Sequence, residues 1–347
     1  MRAITIKPGV KGSARLEEVP EPAERDGALL VRALALGVCG TDREIVAAEY
    51  GEAPPGEARL VLGHESLGVV EQGGNGAFSA GDHVVGIVRR PDPVPCPACA
   101  AGEWDMCRNG RYTERGIKGR HGYGSERFRL EPEFAIKVDP ALGLLAVLLE
   151  PASIVAKAWD HADRIGHRSR SWQPRTAFIT GAGPIGLLAA LMAAQRGLEV
   201  HVFDRNSHGP KAALVRELGG THHARLEEMD AVKPDIVMEC TGAAAVVAGI
   251  LGRAGPSGIA CLLSVTASRT MEVDIGLLNR KYVLDNDALF GAVNANRSHY
   301  QAAAQALALA DRGWLGRLIT RRVPLDRWSE ALEHRDGDIK VIVELGG

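Results

Sequence analysis

Cysteine is scarce in this chain. Six cysteines in 347 residues are too few for a disulfide scaffold, and three of them cluster at metal-ligand spacing, so a reducing, cytoplasmic setting is expected. An excess of charge of either sign is also lacking. With 41 basic and 43 acidic residues the net charge is -2, which gives no ground for a nucleic-acid or anionic-membrane partner. The local basic run 164–170 reads as a solvated connector. Residues 1–16 lack the long apolar core of a secretory leader. No stretch is expected to approach the ~20 apolar residues of a membrane span, since the apolar run 142–149 ends at Glu150. Internal repeats and low-complexity segments are missing too. What remains is the composition of a soluble globular protein, 46% hydrophobic and 24% charged, at a length that suggests two domains.

The chain is organised around Gly37-Val38-Cys39-Gly40-Thr41-Asp42 and, after a loop, Gly63-His64-Glu65. A thiolate and an imidazole are good zinc ligands, and a carboxylate is a third or exchangeable one. A mixed site with an oxygen ligand suits a catalytic ion that keeps a position for water or substrate. Taken singly, Cys39 is a small buried hydrophobe and His64 a core histidine. Their joint occurrence beside glycines favours a metal, and Glu150 adds a further carboxylate.

Residues 1–150 are rich in glycine, proline and short apolar runs, with strands expected at 28–36, 67–71 and 83–88. A helix is expected from Thr41, with Asp42 and Glu44 at its positive end. Cys96, Cys99 and Cys107 have the spacing of a zinc knuckle closed across a loop, so they are a candidate structural zinc site. Asp92 and Asp105 are the available fourth ligands, and the alternative is a lobe that keeps reduced thiols without metal. A polar, glycine-punctuated loop at 112–123 reads as a substrate-binding surface. Its Glu114 can accept hydrogen bonds from a polyhydroxylated ligand, or is an exposed carboxylate. Glu150 closes an apolar run just before a helix expected at 153–162. If it is buried it needs a partner, and a metal is one; otherwise it faces solvent near the helix start.

A strand at 176–180 runs into Gly181-Ala-Gly183-Pro184-Ile185-Gly186 and then a helix at 187–196. Strand, G-x-G-x-x-G, helix is the context that makes this motif a dinucleotide-binding turn. The first glycine permits the turn, the second lets backbone approach a pyrophosphate, and the third lets helix and strand pack closely. The helix N-terminus offers N–H groups and partial positive charge to phosphates. A second strand, 199–203, ends at Asp204, at the spacing of the carboxylate that binds adenosine ribose hydroxyls. Asp204 would repel a 2'-phosphate and so favours NAD, while Arg205 beside it keeps NADP open. Alternation continues with helices at 210–218 and 243–253 and strands at 235–239 and 258–264, the pattern of a doubly wound parallel sheet. A short helix at 326–334 and a strand at 340–344 that rejoins the first domain complete the expectation. Cys240 and Cys261 have no partner spacing and read as core residues.

The segments 37–44, 63–65, 96–107 and 181–186 together resemble the zinc-dependent medium-chain alcohol dehydrogenases. Within that superfamily, 37–44, 113–118, 149–152 and 293–296 are most similar to the glucose 1-dehydrogenases, which convert an aldose to its lactone with NAD or NADP. The resemblance covers essentially the whole chain. It implies an α/β architecture in which a Rossmann doubly wound parallel sheet is inserted in a β-rich GroES-like catalytic domain: 1–150 catalytic, 151–294 NAD(P)-binding and 295–347 the return to the catalytic domain. It implies that Cys39 and His64 bind catalytic zinc, with Glu65 or Glu150 completing the shell. Thr41 matches the proton-relay hydroxyl and contacts substrate, and Glu114, Glu150 and Asn294 match positions that hold sugar hydroxyls. Gly181, Gly183, Pro184, Ile185, Gly186, Asp204, Arg205, Ala292, Val293 and Asn294 fall at cofactor-binding positions. A cytoplasmic homodimer or homotetramer acting on a sugar or polyol follows from the same comparison. Two departures stand out. The family's lobe often has four cysteines, and here the first position is Pro93. Other members carry a basic, acid-free sequence where Asp204 lies. Three alternatives share the fold: a zinc dehydrogenase for another sugar, polyol or secondary alcohol; a zinc-free reductase, which the intact Cys39, His64 and Glu65 argue against; and a non-catalytic dinucleotide-binding protein.

Overall fold

The structure is a computed structural model that describes residues 1–73, 76–265 and 270–346. The chain divides into two units, Met1–Ser153 with Asn294–Gly347, and Ile154–Val293.

The first unit is built on the strand Leu29–Val38. Its residues alternate between core and surface until Ala35, and from there to Val38 all are buried. A strand that buries one face shows period two; one covered on both sides loses it. Leu29–Val38 pairs antiparallel with Glu65–Gln72, Arg127–Leu130 and Lys340–Glu344. The sheet continues outward through His83–Gly86 to Ala135–Lys137 on one side and through Ile319–Pro324 on the other. The pairing brings Gly37 opposite Glu65 and Val38 opposite Val341. Three distant segments thus end beside Cys39. The core beneath holds Ile4, Val31, Leu60, Val84, Tyr123 and Phe128, each large side chain contributing about 1.5–3 kcal/mol by leaving water. A small separate sheet pairs Arg89–Arg90 with Thr113–Arg115, in the register Arg89 to Glu114.

The second unit is a parallel sheet of six strands in the order Thr221–His223, Glu199–Phe203, Thr176–Thr180, Ile236–Glu239, Ile259–Leu262, Ala288–Gly291. The reversal between the third and fourth strands of this order is that of a doubly wound dinucleotide-binding sheet. Thr176–Thr180 is buried almost throughout, as a central parallel strand must be. The helix Pro184–Gln195 packs on it and on Glu199–Phe203.

Several local expectations need correction. The first helix is Gly40–Val46, not one from Thr41, because Asp42 accepts from the Cys39 backbone N–H at 2.9 Å and makes Cys39 the cap. The helix expected at 153–162 is Leu149–Gly166, so Glu150 lies in its first turn rather than before it. Pro151 falls in the first turn of this helix, where proline is tolerated. The segment expected as a helix at 326–334 is a 3-10 stretch, Leu325–Leu332, broken at Arg327. Pro324 before it supplies no capping side chain. One helical stretch, Pro140–Gly166, is long and apolar enough to cross a membrane, against the expectation of none. Most of it is buried inside the protein, as in a core helix.

Candidate active site and metal centre

The Cys39 Sγ lies 3.1 Å from His64 Nε2, and the ligand atoms of Cys39, His64 and Glu65 lie within 4.8 Å of one another. Cys39 caps a helix, His64 ends the approach to Glu65–Gln72, and Glu65 is the first residue of that strand. Gly37 is required opposite: a Cβ there would meet Glu65 Oε2 at 2.0 Å. His64 turns its other nitrogen, Nδ1, toward Asp42 Oδ1 at 3.4 Å. With a carboxylate beside Nδ1, Nε2 faces the thiol, as in the arrangement that orients a metal-ligating imidazole. Glu65 accepts from Lys340 Nζ with both oxygens, at 2.7 and 2.6 Å, and both residues are buried.

Charge at this cluster is unbalanced. The acids Cys39, Asp42, Glu65 and Glu150 face Lys340 as the permanent cation. Burial, reinforced by the Glu65 carboxylate and opposed by His64, pushes the Glu150 carboxyl up to about 7. Burial works against charge on His64 too, but the Cys39 sulfur and Asp42 outweigh it and hold the imidazole well above its ordinary value. The group therefore gathers positive charge by holding protons. A divalent cation would serve the same need with soft, borderline and hard donors already converged, so the residues fit a zinc ion. Thr41 stands in the first turn of the helix Gly40–Val46, half-buried.

Glu114 and Asn294 are far apart in sequence and meet directly, Asn294 Nδ2 donating to Glu114 Oε1 at 2.7 Å. Both are buried, and Asn294 adopts a left-handed backbone at φ 60. Its side chain reaches Glu114 through Nδ2 and the Ala295 N–H, at 2.8 Å, through Oδ1.

In the lobe, the sulfurs of Cys96, Cys99 and Cys107 converge within 4.8 Å. Backbone N–H groups of Arg108 and Cys99 draw the Cys96 thiol down to about 6, while burial pushes Cys99 up to about 11. Both candidate fourth ligands are engaged elsewhere. Asp92 accepts from Val94 N, Asn109 Nδ2 and Arg111 Nε at 2.8, 2.9 and 3.0 Å. Asp105 accepts from Asn296 Nδ2 at 2.9 Å.

In the second unit, Gly181 takes φ +86, and a Cβ on Gly186 would meet the Gly181 carbonyl oxygen at 1.7 Å. A Cβ on Gly183 would meet nothing within 4 Å, so backbone there is open to a ligand. Pro184 and Ile185 begin the helix whose N-terminus faces that space. Asp204 ends its strand, with Oδ2 accepting from Ala182 N at 2.9 Å and Oδ1 from Asn206 N at 3.1 Å. Strand end and glycine turn are therefore joined, as a site for ribose and pyrophosphate requires. Arg205 is exposed beside it. Ala292 is buried past the end of Ala288–Gly291, and Val293 is exposed while its carbonyl accepts from the buried Lys157 at 2.9 Å.

Two residues of the first cluster escaped sequence reasoning in these roles. Asp42 read only as a helix-start acid, though its place three residues after Cys39 was a signal for the cap. Lys340 was read only as the first residue of an apolar strand, and nothing local marks it as buried.

Known proteins share this fold over the whole chain. Residues 25–140 match the family described as the alcohol dehydrogenase GroES-like domain, and residues 143–345 the family described as the glucose dehydrogenase C-terminus. The chain is 41% identical to a glucose 1-dehydrogenase of Methanocella arvoryzae over 100% of both chains. It is 39% identical to glucose 1-dehydrogenase 1 of Caldivirga maquilingensis over 99% of both. Among solved structures, the glucose dehydrogenase of Haloferax mediterranei in complex with NADP, Zn and gluconolactone superposes with a TM-score of 0.92 at 33% identity, covering 100% of both chains.

Proposed function

We propose that this chain, which belongs to the glucose 1-dehydrogenase family of the zinc-dependent alcohol dehydrogenases, oxidises an aldose such as glucose at C1 to its lactone with NAD(P). The observation that carries the reading is the convergence of thiol, imidazole and carboxylate donors within 4.8 Å, in the unit that also joins buried Glu114 to Asn294. Relatives named glucose 1-dehydrogenase over the full chain support the choice of sugar.

In this reading Cys39 and His64 hold the zinc. Glu65, whose donor atom converges with theirs, or Glu150 would complete the shell. When bound, zinc supplies the Lewis acidity that lowers the pKa of the reacting hydroxyl, and the dinucleotide takes up the hydride. Asp42 keeps His64 in one orientation. Thr41 takes the proton of the C1 hydroxyl and passes it toward solvent. Glu114, Glu150 and Asn294 hold the remaining sugar hydroxyls. The glycine turn and Asp204 hold the dinucleotide, and the Asp204 carboxylate favours NAD, with Arg205 permitting NADP. The three lobe sulfurs would hold a second zinc, while Asp92 and Asp105 are engaged elsewhere. The reading extends to a cytoplasmic homodimer or homotetramer without nucleic-acid or membrane partners, which the balanced charge supports.

The test is a panel of aldoses, polyols and secondary alcohols assayed with NAD and with NADP, alongside zinc content by mass spectrometry. Lactone formation from an aldose with bound zinc is expected. Turnover confined to polyols or secondary alcohols moves the substrate to the alternative class, and NADH binding without any turnover rejects the enzyme.

A further inference from the structure

Arg89 is buried beside Glu114, and the assigned roles leave it without a function. Its Nε and Nη2 donate to Glu114 Oε1 at 3.1 and 3.0 Å, and Asn294 donates to the same oxygen at 2.7 Å. Oε1 is thus saturated by three donors, whereas Oε2 accepts no hydrogen bond among the described residues. Arg89 is itself held on every side. Its Nη1 donates to the Asp105 carbonyl at 3.1 Å, and its guanidinium stacks on the Tyr112 ring at 3.7 Å. Its backbone lies directly opposite Glu114 in the small sheet. Asp105 in turn accepts from Asn296. Two amides from 294–296, two acids and one arginine therefore form a continuous chain of contacts within the first unit.

We infer that Arg89 is a positioning residue for sugar recognition: it holds the Glu114 carboxylate oriented so that Oε2 alone is presented to substrate hydroxyls. This rests on the sugar-oxidising reading above. A carboxylate clamped at one oxygen cannot rotate, and its free oxygen keeps its lone pairs in one direction. Discrimination among hydroxylated substrates depends on such preset acceptors, because a site built to bind a hydroxyl rejects an analogue that lacks it. With its fork spent on Glu114 and Asp105, Arg89 has no donor pair left for an anionic substrate, so its effect passes through Glu114. A lysine cannot replace it, since a point charge on a flexible stem fixes no plane.

The experiment compares Arg89→Met and Arg89→Lys with the unaltered protein on the best aldose of the panel, on its monodeoxy analogues, and on cofactor. For Arg89→Met the KM of the parent sugar should rise roughly 10- to 100-fold, the scale of a hydrogen bond to a charged group. The kcat and the KM for NAD should stay nearly unchanged. The monodeoxy sugar that lacks the hydroxyl held by Glu114 should show little further loss, and Arg89→Lys should show a smaller rise than Arg89→Met. A loss equal on every sugar, the monodeoxy ones included, or a fall in kcat and cofactor affinity together, makes Arg89 merely structural and overturns the inference. If Arg89→Met does not fold, an unchanged KM in Arg89→Lys overturns it equally. The crystal structure of Arg89→Met separates this from the function itself: a Glu114 carboxylate that has not moved overturns the positioning role whatever the substrate. Absence of sugar turnover in the unaltered protein overturns the functional reading alone.

Discussion

Glu150 and Glu131 are both glutamates of the first unit, the one buried and the other partly so, and their acidities lie at opposite extremes. Burial pushes Glu150 up to about 7 in the company of Glu65 and Asp42. Burial also acts on Glu131, but Arg90, Arg115 and Arg120 outweigh it and hold the carboxyl down to about 2. Arg90 reaches Glu131 at 2.8 Å and Arg115 at 3.7 Å, while Arg120 donates to its other oxygen. One cluster carries more anions than permanent cations; the other carries more guanidinium than carboxylate. The first can be completed only by protons or a cation from solution. The second is closed upon itself and ties the strand Arg127–Leu130 to the small sheet. Burial of charge alone does not mark a functional site; a surplus of anionic donors that the chain leaves uncompensated does.

The comparison breaks most severely at Cys39. Cys39→Ser should remove zinc from the first cluster and lower turnover by roughly 10⁴-fold, since Lewis-acid stabilisation supplies several kcal/mol. Zinc per chain and kcat, measured on one preparation, check it, and full activity in zinc-free protein would refute the metal reading. Lys340→Met comes next. It strips Glu65 of the cation that neutralises it, and removing one partner of a buried pair costs about 3–5 kcal/mol. Urea unfolding measures the loss. Stability within about 1 kcal/mol of the unaltered protein would show that Glu65 is not held by this pair.

What could be read along the chain and what could not divide along the same line. Strands at 176–180, 199–203 and 340–344 were legible because a run of apolar and β-branched residues between turn signals needs no knowledge of its neighbours. The dinucleotide turn was legible because its glycines act over a few residues. Cys39, His64 and Glu65 could be named from residue type and spacing, and the structure brings their ligand atoms together. Lys340 could not, because its partner lies 275 residues away and only the pairing of Lys340–Glu344 with Leu29–Val38 places it beside Glu65. Arg89 was missed for the same reason: its chemistry comes from register with Glu114 across a sheet, not from its neighbours in sequence. Glu150 was placed before its helix because it closes an apolar run, whereas the apolar 3-10 run Pro140–Leu148 carries straight into Leu149–Gly166.

The smallest effect is expected at the closed cluster, and it sharpens the comparison through its pH dependence. Glu131 has its carboxyl lowered from 4.5 to about 2 in the folded chain. A depression of that size corresponds to about 3 kcal/mol, discounted to about 2 kcal/mol because the side chain is 23% exposed and partly screened. A lowered folded value means that the contribution is fully present above the unfolded value and is lost as pH falls through the folded one. Glu131→Gln should therefore be less stable than the unaltered protein by about 2 kcal/mol near neutrality. The gap should stay constant down to about pH 5 and close progressively toward about pH 2. Urea unfolding of both proteins at several pH values measures it. A gap that is unchanged in acid would mean that the three arginines act on Glu131 by packing rather than by charge, and the contrast with Glu150 would then be one of shape alone.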